Sequence, residues 1–316
     1  MATTVNADMV IYDRLAQTAY LERIQDVLEV FNTASNGALV LRSEAVQGDF
    51  DKAAFYRVGG SIEHRDVDSD AKVTGKKIGA DERVGVKVPW KYGPYETTEE
   101  AFKRRLRDPE EFYTLLGQDL ADASLDGFIQ HAFVSLEAAI GANAAMVAQG
   151  SFAADHKKVL TKGMRLFGDR FQRIALFGMD SATYFDLVDD AIGEKIFNEA
   201  DVVIYGGVPG TMGKAVLVSD KIPSDRIFGL QSGAVQVVES QAPGFRSYNI
   251  DDQENLALGY RGEGTFNLEL LGYSWNTGGS TPAPANPKLA ELGTGANWRK
   301  HATSDKSTAG VMIEMS

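Results

Sequence analysis

Four places along the chain carry residue types that could do chemistry. The first is YGGVPGTMGKAV (205–216), a Gly-rich turn after a strand-like run. The backbone amides of such a loop can cradle phosphates, with a Lys reaching them and a Ser or Thr holding Mg2+. The spacing that chemistry needs puts Gly five residues before Gly213, where the chain has Val208, and Ser or Thr after Lys214, where it has Ala215. The second is DVDSDAKVTGKK (66–77), which opens like a calcium loop on Asp66, Asp68 and Asp70. Such a loop needs Gly at its sixth position and a bidentate Glu at its twelfth; here stand Ala71 and Lys77. A solvated, charged hairpin tip fits better.

The third place is the set of histidines, His64, His131, His156 and His301. No two have metal-pair spacing on one element. The fourth, Asp251, Asp252 and Glu254, could be half of a carboxylate site, but such a run is more often a polar loop. The chain has no G-x-S-x-G elbow. G-x-G-x-x-G is also absent: Asn267 follows Gly262 and Gly264, and Trp298 follows Gly293 and Gly295. No catalytic residue, cofactor or metal site is therefore expected.

The bulk composition limits the rest. A chain of 316 residues suggests two packed units, or one core with extensions. The net charge of −12 argues against a dedicated nucleic-acid binder, though not against a surface that lies beside DNA without gripping it. With no cysteines, there are neither disulfides nor thiolate metal sites. No apolar run approaches the ~20 residues that span a bilayer, so no membrane partner is expected. MATTVNADMVIYDRLAQ lacks the basic start and apolar run of a signal peptide.

The elements then follow from periodicity. Ile11, Leu15, Ala19, Ile24, Leu28 and Phe31 form one apolar stripe on a helix over 8–31, stopped by Asn32, Asn36 and Gly37. The helix packs either on its own core or on a neighbouring chain. AAFYRV (53–58) and RVGVKVPW (83–90) read as strands flanking a polar tip, with eight Lys/Arg and six Asp/Glu within 57–91. A two-stranded hairpin alone is marginal in water, so this one needs a surface, and a second subunit could supply it. Asp108 and Pro109 open the strongest helix, with apolar periodicity over 109–148 and Gly117, Gly127 and Gly141 as places where it could bend. From 155 to about 275 helices alternate with strands: a helix near 155–169, strand 173–178, a helix capped by Ser181, then strands 202–207, 215–220, 234–240 and 266–275. Residues 276–297 read as a Gly/Pro/Asn linker, and Gly310 to Met315 as a final strand.

This order of parts resembles the Hong Kong 97-type fold of tailed-phage major capsid proteins. The stretches EKIFNEADVVIYGGVPGTMGKAVLVSDKIP, IFGLQSGAVQVVES, FNLELLGYSWN and GANWRKHATSDKSTAGV are similar to family members, in collinear order. The resemblance implies an α+β fold with an N-terminal arm (1–45), an extended β-hairpin or E-loop (46–95) and a P-domain with a spine helix (96–154). A mixed α/β A-domain (155–280) follows, then a linker and C-terminal P-domain strand (281–316). It implies a structural, non-catalytic protein that assembles in the host cytoplasm into the icosahedral shell of a virion. The implied partners are itself, as hexamers and pentamers, a portal, a decoration protein and packaged double-stranded DNA contacted non-specifically. The predicted arm begins almost at Met1, leaving no room for a removable scaffolding segment, so a separate scaffolding protein is expected. The residues expected at contacts between subunits are Ile11, Leu15, Arg57, His64, Arg65, Lys72, Lys76, Lys77 and Trp90. Lys72, Lys76 and Lys77 identify no acceptor for isopeptide cross-linking, and none is expected. Two alternatives stay open: an encapsulin-like nanocompartment shell, and an α/β enzyme using the 205–214 loop.

Overall fold

The computed structural model describes residues 6–43, 48, 50–57, 60, 62–75, 78–105, 109–155, 158–195, 213–239, 243–251, 254–278 and 280–316. Helix α1 (Asn6–Ala34) spans the expected stretch and ends where Asn36 and Gly37 turn left-handed, at φ 50° and 67°. The Gly37 amide donates back to the Asn32 carbonyl at 3.1 Å, which closes the last turn. The Asn32 side chain then grips Leu41, donating to its carbonyl and accepting from its amide, each at 2.9 Å. The helix end is thereby fixed to strand β1 (Leu39–Ser43).

Strands β2 (Phe50–Arg57) and β3 (Gly79–Thr98) form the expected hairpin, in register from Phe50↔Val86 to Arg57↔Gly79. β3 runs further than the sequence suggested. Val84, Val86 and Val88 alternate onto a buried face, so from Val86 onward the strand belongs to the body of the sheet. Helices α2 (Glu99–Arg105) and α3 (Pro109–Gly141) follow. At 1.5 Å per residue α3 is about 50 Å long. It stops at Gly141, short of the expected 148, because Val147–Gly150 forms strand β4 instead. Parallel pairing with the far C-terminus, Met312↔Val147, overrides the helical preference of this Ala-rich stretch. Asp108, the expected cap, lies outside the described residues.

Beyond these come α4 (Phe152–Asp155), α5 (Lys158–Phe167), β5 (Ile174–Met179), α6 (Ser181–Lys195), β6 (Ala215–Val218), β7 (Arg226–Gln231), β8 (Val235–Glu239), β9 (Gly244–Ile250), β10 (Ala257–Leu270), β11 (Tyr273–Trp275), α7 (Leu289–Leu292), β12 (Trp298–Lys300) and β13 (Gly310–Met315). The strand expected at 202–207 lies outside the described residues. The cap of α6 is Asp180 rather than Ser181: Thr183 N donates to Asp180 Oδ1 at 3.3 Å, while the Ser181 hydroxyl turns away to Asp220.

Two sheets result. The larger has eight strands, ordered β1-β8-β10-β11-β12, with β3 and β9 also on β10 and β2 on β3; the smaller runs β4-β13-β7-β5-β6. The sheets regroup the segments expected from the sequence. The strands of 155–280 divide between both sheets, and β13 joins them to the spine helix's own unit, pairing with β4 on one side and β7 on the other. These pairings are non-local, so chain order could not reveal them. The 276–297 stretch is no free linker either. Trp275 Nε1 donates to Pro284 O at 3.0 Å, Trp298 Nε1 to Leu292 O at 2.8 Å, and Leu292 is fully buried.

Helix α3 is the axis around which these parts pack. Phe128 meets Phe266 of the larger sheet at 4.9 Å between ring centroids, and Phe133 meets Phe228 of the smaller at 5.3 Å. Phe133 and Leu136 are fully buried, so truncating either to Ala costs about 2–5 kcal/mol. Helix α1 crosses α3 at Ala16 and Ala19, and with Tyr20 and Ile24 also buried its inner face is settled on its own chain. The crossing is tight: a Cβ on Gly117 would stand 2.4 Å from the Ala16 carbonyl oxygen.

Candidate assembly surface

The hairpin projects from the larger sheet with little to cover it. The described residues between its strands, 60, 62–75 and 78, are all exposed. Ile62, Val67, Val73 and Ile78 lie among the charges, with Val67 77% and Val73 89% exposed. Fully burying such a side chain contributes about 1.5–3 kcal/mol, so a surface accepting several of them would hold the hairpin firmly. Within the tip, Asp68 N donates to Asp66 Oδ1 at 3.0 Å, and Ala71 N to Ser69 Oγ at 3.2 Å. Among the described residues no three His, Asp or Glu side chains gather as metal ligands, and no helix is long and apolar enough to cross a membrane.

The structure places the expected contact residues at different sites. His64, Arg65 and Lys72 are exposed on the tip. Lys76 and Lys77 lie outside the described residues. Arg57 ends β2 and Ile11 lies within α1, with both side chains outside the described part, while Leu15 is half-buried on α1. Trp90 is away from the tip, in the part of β3 paired with β10. Its ring covers Gly264, and its indole N–H is buried without a hydrogen-bond partner.

The chemical candidates disperse in the same way. The 205–212 part of the Gly-rich loop and His156 lie outside the described residues; Lys214 Nζ donates to the Gln172 carbonyl at 3.2 Å. Asp251 and Glu254 are exposed, and Asp252 lies outside the described residues. His131 packs edge-on to Phe266, with Nδ1 2.6 Å from Gly127 O, and burial lowers its pKa.

The hairpin root is more structured than the sequence revealed. Arg299 of β12 pairs with Asp81 of β3 at 2.7 Å. Ser274 Oγ donates to Glu82 O at 3.0 Å and lies 2.8 Å from His301 Nδ1, while the His301 ring packs on Phe55 of β2. Beside this root opens a cleft of about 610 Å³, lined by Glu82, Asn276, Thr281, Asn297 and Arg299 among others. On the polar face stand buried Asn267 and Glu269. Sequence reading passed over them inside FNLELL, although polar residues alternating within an apolar strand are a signal of a second, covered face.

Comparison with known proteins follows from this geometry. The model of a family described as "Gp13-like: Major capsid protein 13-like" matches residues 8–312. No curated protein matches the chain. Among solved structures, one from Mycobacterium phage Bobi is similar at TM-score 0.53 and 12% identity, covering 90% of each chain. One from Microbacterium phage Oxtober96 is similar at TM-score 0.55 and 9% identity, covering 89% of this chain and 90% of that one. The asymmetric unit of the bacteriophage PhiM1 mature capsid is similar at 0.50 and 10%, covering 89% and 86%. At such identities the likeness is one of fold, and it is the Hong Kong 97-type mixture of helices and sheets expected from the sequence. Neither the nanocompartment nor the enzyme alternative is favoured.

Proposed function

Because the chain belongs to the Gp13-like family of major capsid proteins, we propose that its copies close into an icosahedral shell around a phage genome by lending their hairpins to neighbours. The observation that carries this reading is the row of apolar side chains, Ile62, Val67, Val73 and Ile78, held out on a hairpin its own chain leaves uncovered. A second copy supplies the missing surface, and closed symmetry repeats that contact at every position.

In this reading α1 is the N-terminal arm and the β2–β3 hairpin the E-loop. Helix α3 with the eight-stranded sheet is the P-domain, and the five-stranded sheet is the A-domain, whose loops meet around fivefold and quasi-sixfold axes. His64, Arg65 and Lys72 make polar contacts to the adjoining subunit. Assembly takes place in the host cytoplasm with a separate scaffolding protein and a portal, and the outer surface accepts a decoration protein. The double-stranded DNA lies against the shell without specific grip, consistent with a net charge of −12. The chain performs no catalysis.

Electron microscopy of the chain, produced alone and with a candidate scaffolding protein, tests this. The expected result is uniform closed shells with the scaffold and irregular assemblies without it. Uniform shells from the chain alone would remove the scaffold from the account, and small discrete oligomers in both cases would overturn shell formation.

A further inference from the structure

Three strands meet on the polar face of the larger sheet at Gly85. Antiparallel pairing sets Asp51 of β2 opposite Gly85. On the other side of β3, β10 pairs Leu268 with Val86, so Glu269 comes level with Gly85. The Glu269 Cγ lies only 2.7 Å from where a Gly85 Cβ would stand. The missing side chain leaves a gap across which the two carboxyl groups face each other, and the Asp51 carboxyl favours the protonated form of Glu269 there.

Other groups face Glu269 from every strand around it. Asn267, on its own strand, donates from Nδ2 to Glu269 Oε1 at 3.3 Å. Arg83 of β3 places Nη2 3.1 Å from Oε2, at ion-pair distance but without hydrogen-bond alignment. Arg42 of β1 adds positive charge from beyond Gln236, whose Oε1 it contacts at 3.3 Å. Lys87 stands next along the same face of β3. Burial first, and then the facing Asp51 carboxyl, push the Glu269 carboxyl up to about 7, against the pull of Arg83 and Arg42. Arg83 is more than a third exposed, so solvent screens its attraction and burial prevails.

We propose that the Asp51–Glu269 pair is a proton-operated clasp that sets how firmly the hairpin is held to the body of the subunit. With Glu269 protonated, its O–H donates to Asp51 and joins β2 to β10 across β3. With the proton gone, two carboxylates face each other and the strands are pressed apart. A carboxyl raised in the fold contributes stability that is complete below its unfolded value and is lost as pH rises through its folded one. The clasp is therefore closed in acid and open above neutrality. As a control on shell formation it rests on the reading of the hairpin as an inter-subunit element. The clasp itself is read on unassembled subunits, so the two can fail separately.

Hydrogen exchange of full-length unassembled subunits, followed from about pH 5.5 to 8.5 and corrected for intrinsic rates, tests the clasp. Protection of the β2 amides is expected to fall as pH passes about 7. In E269Q, whose amide donates to Asp51 at every pH, protection stays high and flat. In D51N, which removes the facing charge, the midpoint moves down by roughly one unit. Unchanged wild-type behaviour in E269Q would assign the titration to another group and overturn the proposal. A wild type with no pH dependence would do the same. Should E269Q fail to fold, an unshifted midpoint in D51N is the contradicting result.

Discussion

The hydroxyl of Tyr20, on the N-terminal helix, donates a 2.7 Å hydrogen bond to Oε1 of Glu239 at the end of β8, and both side chains are buried. This bond joins helix α1 to the larger sheet. Burial raises the Glu239 carboxyl above its ordinary range, and the Tyr20 bond works against that rise. Burial and the adjoining carboxylate keep the Tyr20 phenol protonated.

Tyr20→Phe removes the donor and leaves a buried carboxyl short of a partner. The expected loss is about 1–3 kcal/mol in urea unfolding. Because a raised carboxyl favours the fold most when protonated, stability from this site is lost as pH rises, and the Tyr20→Phe deficit widens in the same direction. Glu239→Gln keeps an acceptor for Tyr20 and removes the titration, so its stability should vary less with pH than the wild type's.

Two glycines of α3 should respond in opposite ways. Gly117→Ala puts a methyl 2.4 Å from the Ala16 backbone and forces α1 away, at a cost of about 1–3 kcal/mol. Gly127 has nothing within 4 Å of the same position, so Gly127→Ala should stabilise by about 0.5–1 kcal/mol through helix propensity alone. Thermal unfolding of the two variants side by side checks the contrast.

The start of α6 offers a third test. Asp180→Ala removes the acceptor for Thr183 N and should cost about 0.5–2 kcal/mol. Ser181→Ala loses a surface contact to Asp220 and should change stability by less than about 0.5 kcal/mol. Equal effects would return the cap to Ser181.

The order of elements was legible because each rests on local signals. Ala19 and Ile24 of the α1 stripe, Leu120, Phe128 and Phe133 of α3 and the alternating valines of β3 are buried as their spacing implies. What escaped sequence reading depends on pairings between distant residues. Nothing near Val147 announces that it will lie beside Met312, so the end of α3 was misplaced. The linker reading of 276–297 failed because Trp275 and Trp298, at either end, draw the stretch onto the body. The tip was legible as an exposed, charged stretch, whereas the root of the hairpin was not. Asp51, Gly85 and Glu269 lie on three strands, and only their register brings them level.

The central claim is that the hairpin tip serves the shell and not the subunit. Replacing residues 60–78 with a short turn, then following both thermal unfolding and particle formation by electron microscopy, tests it most directly. The account predicts a subunit that unfolds cooperatively within about 0.5 kcal/mol of the wild type and forms no stable shells. Closed shells from the shortened chain, or a subunit that no longer folds, would contradict it.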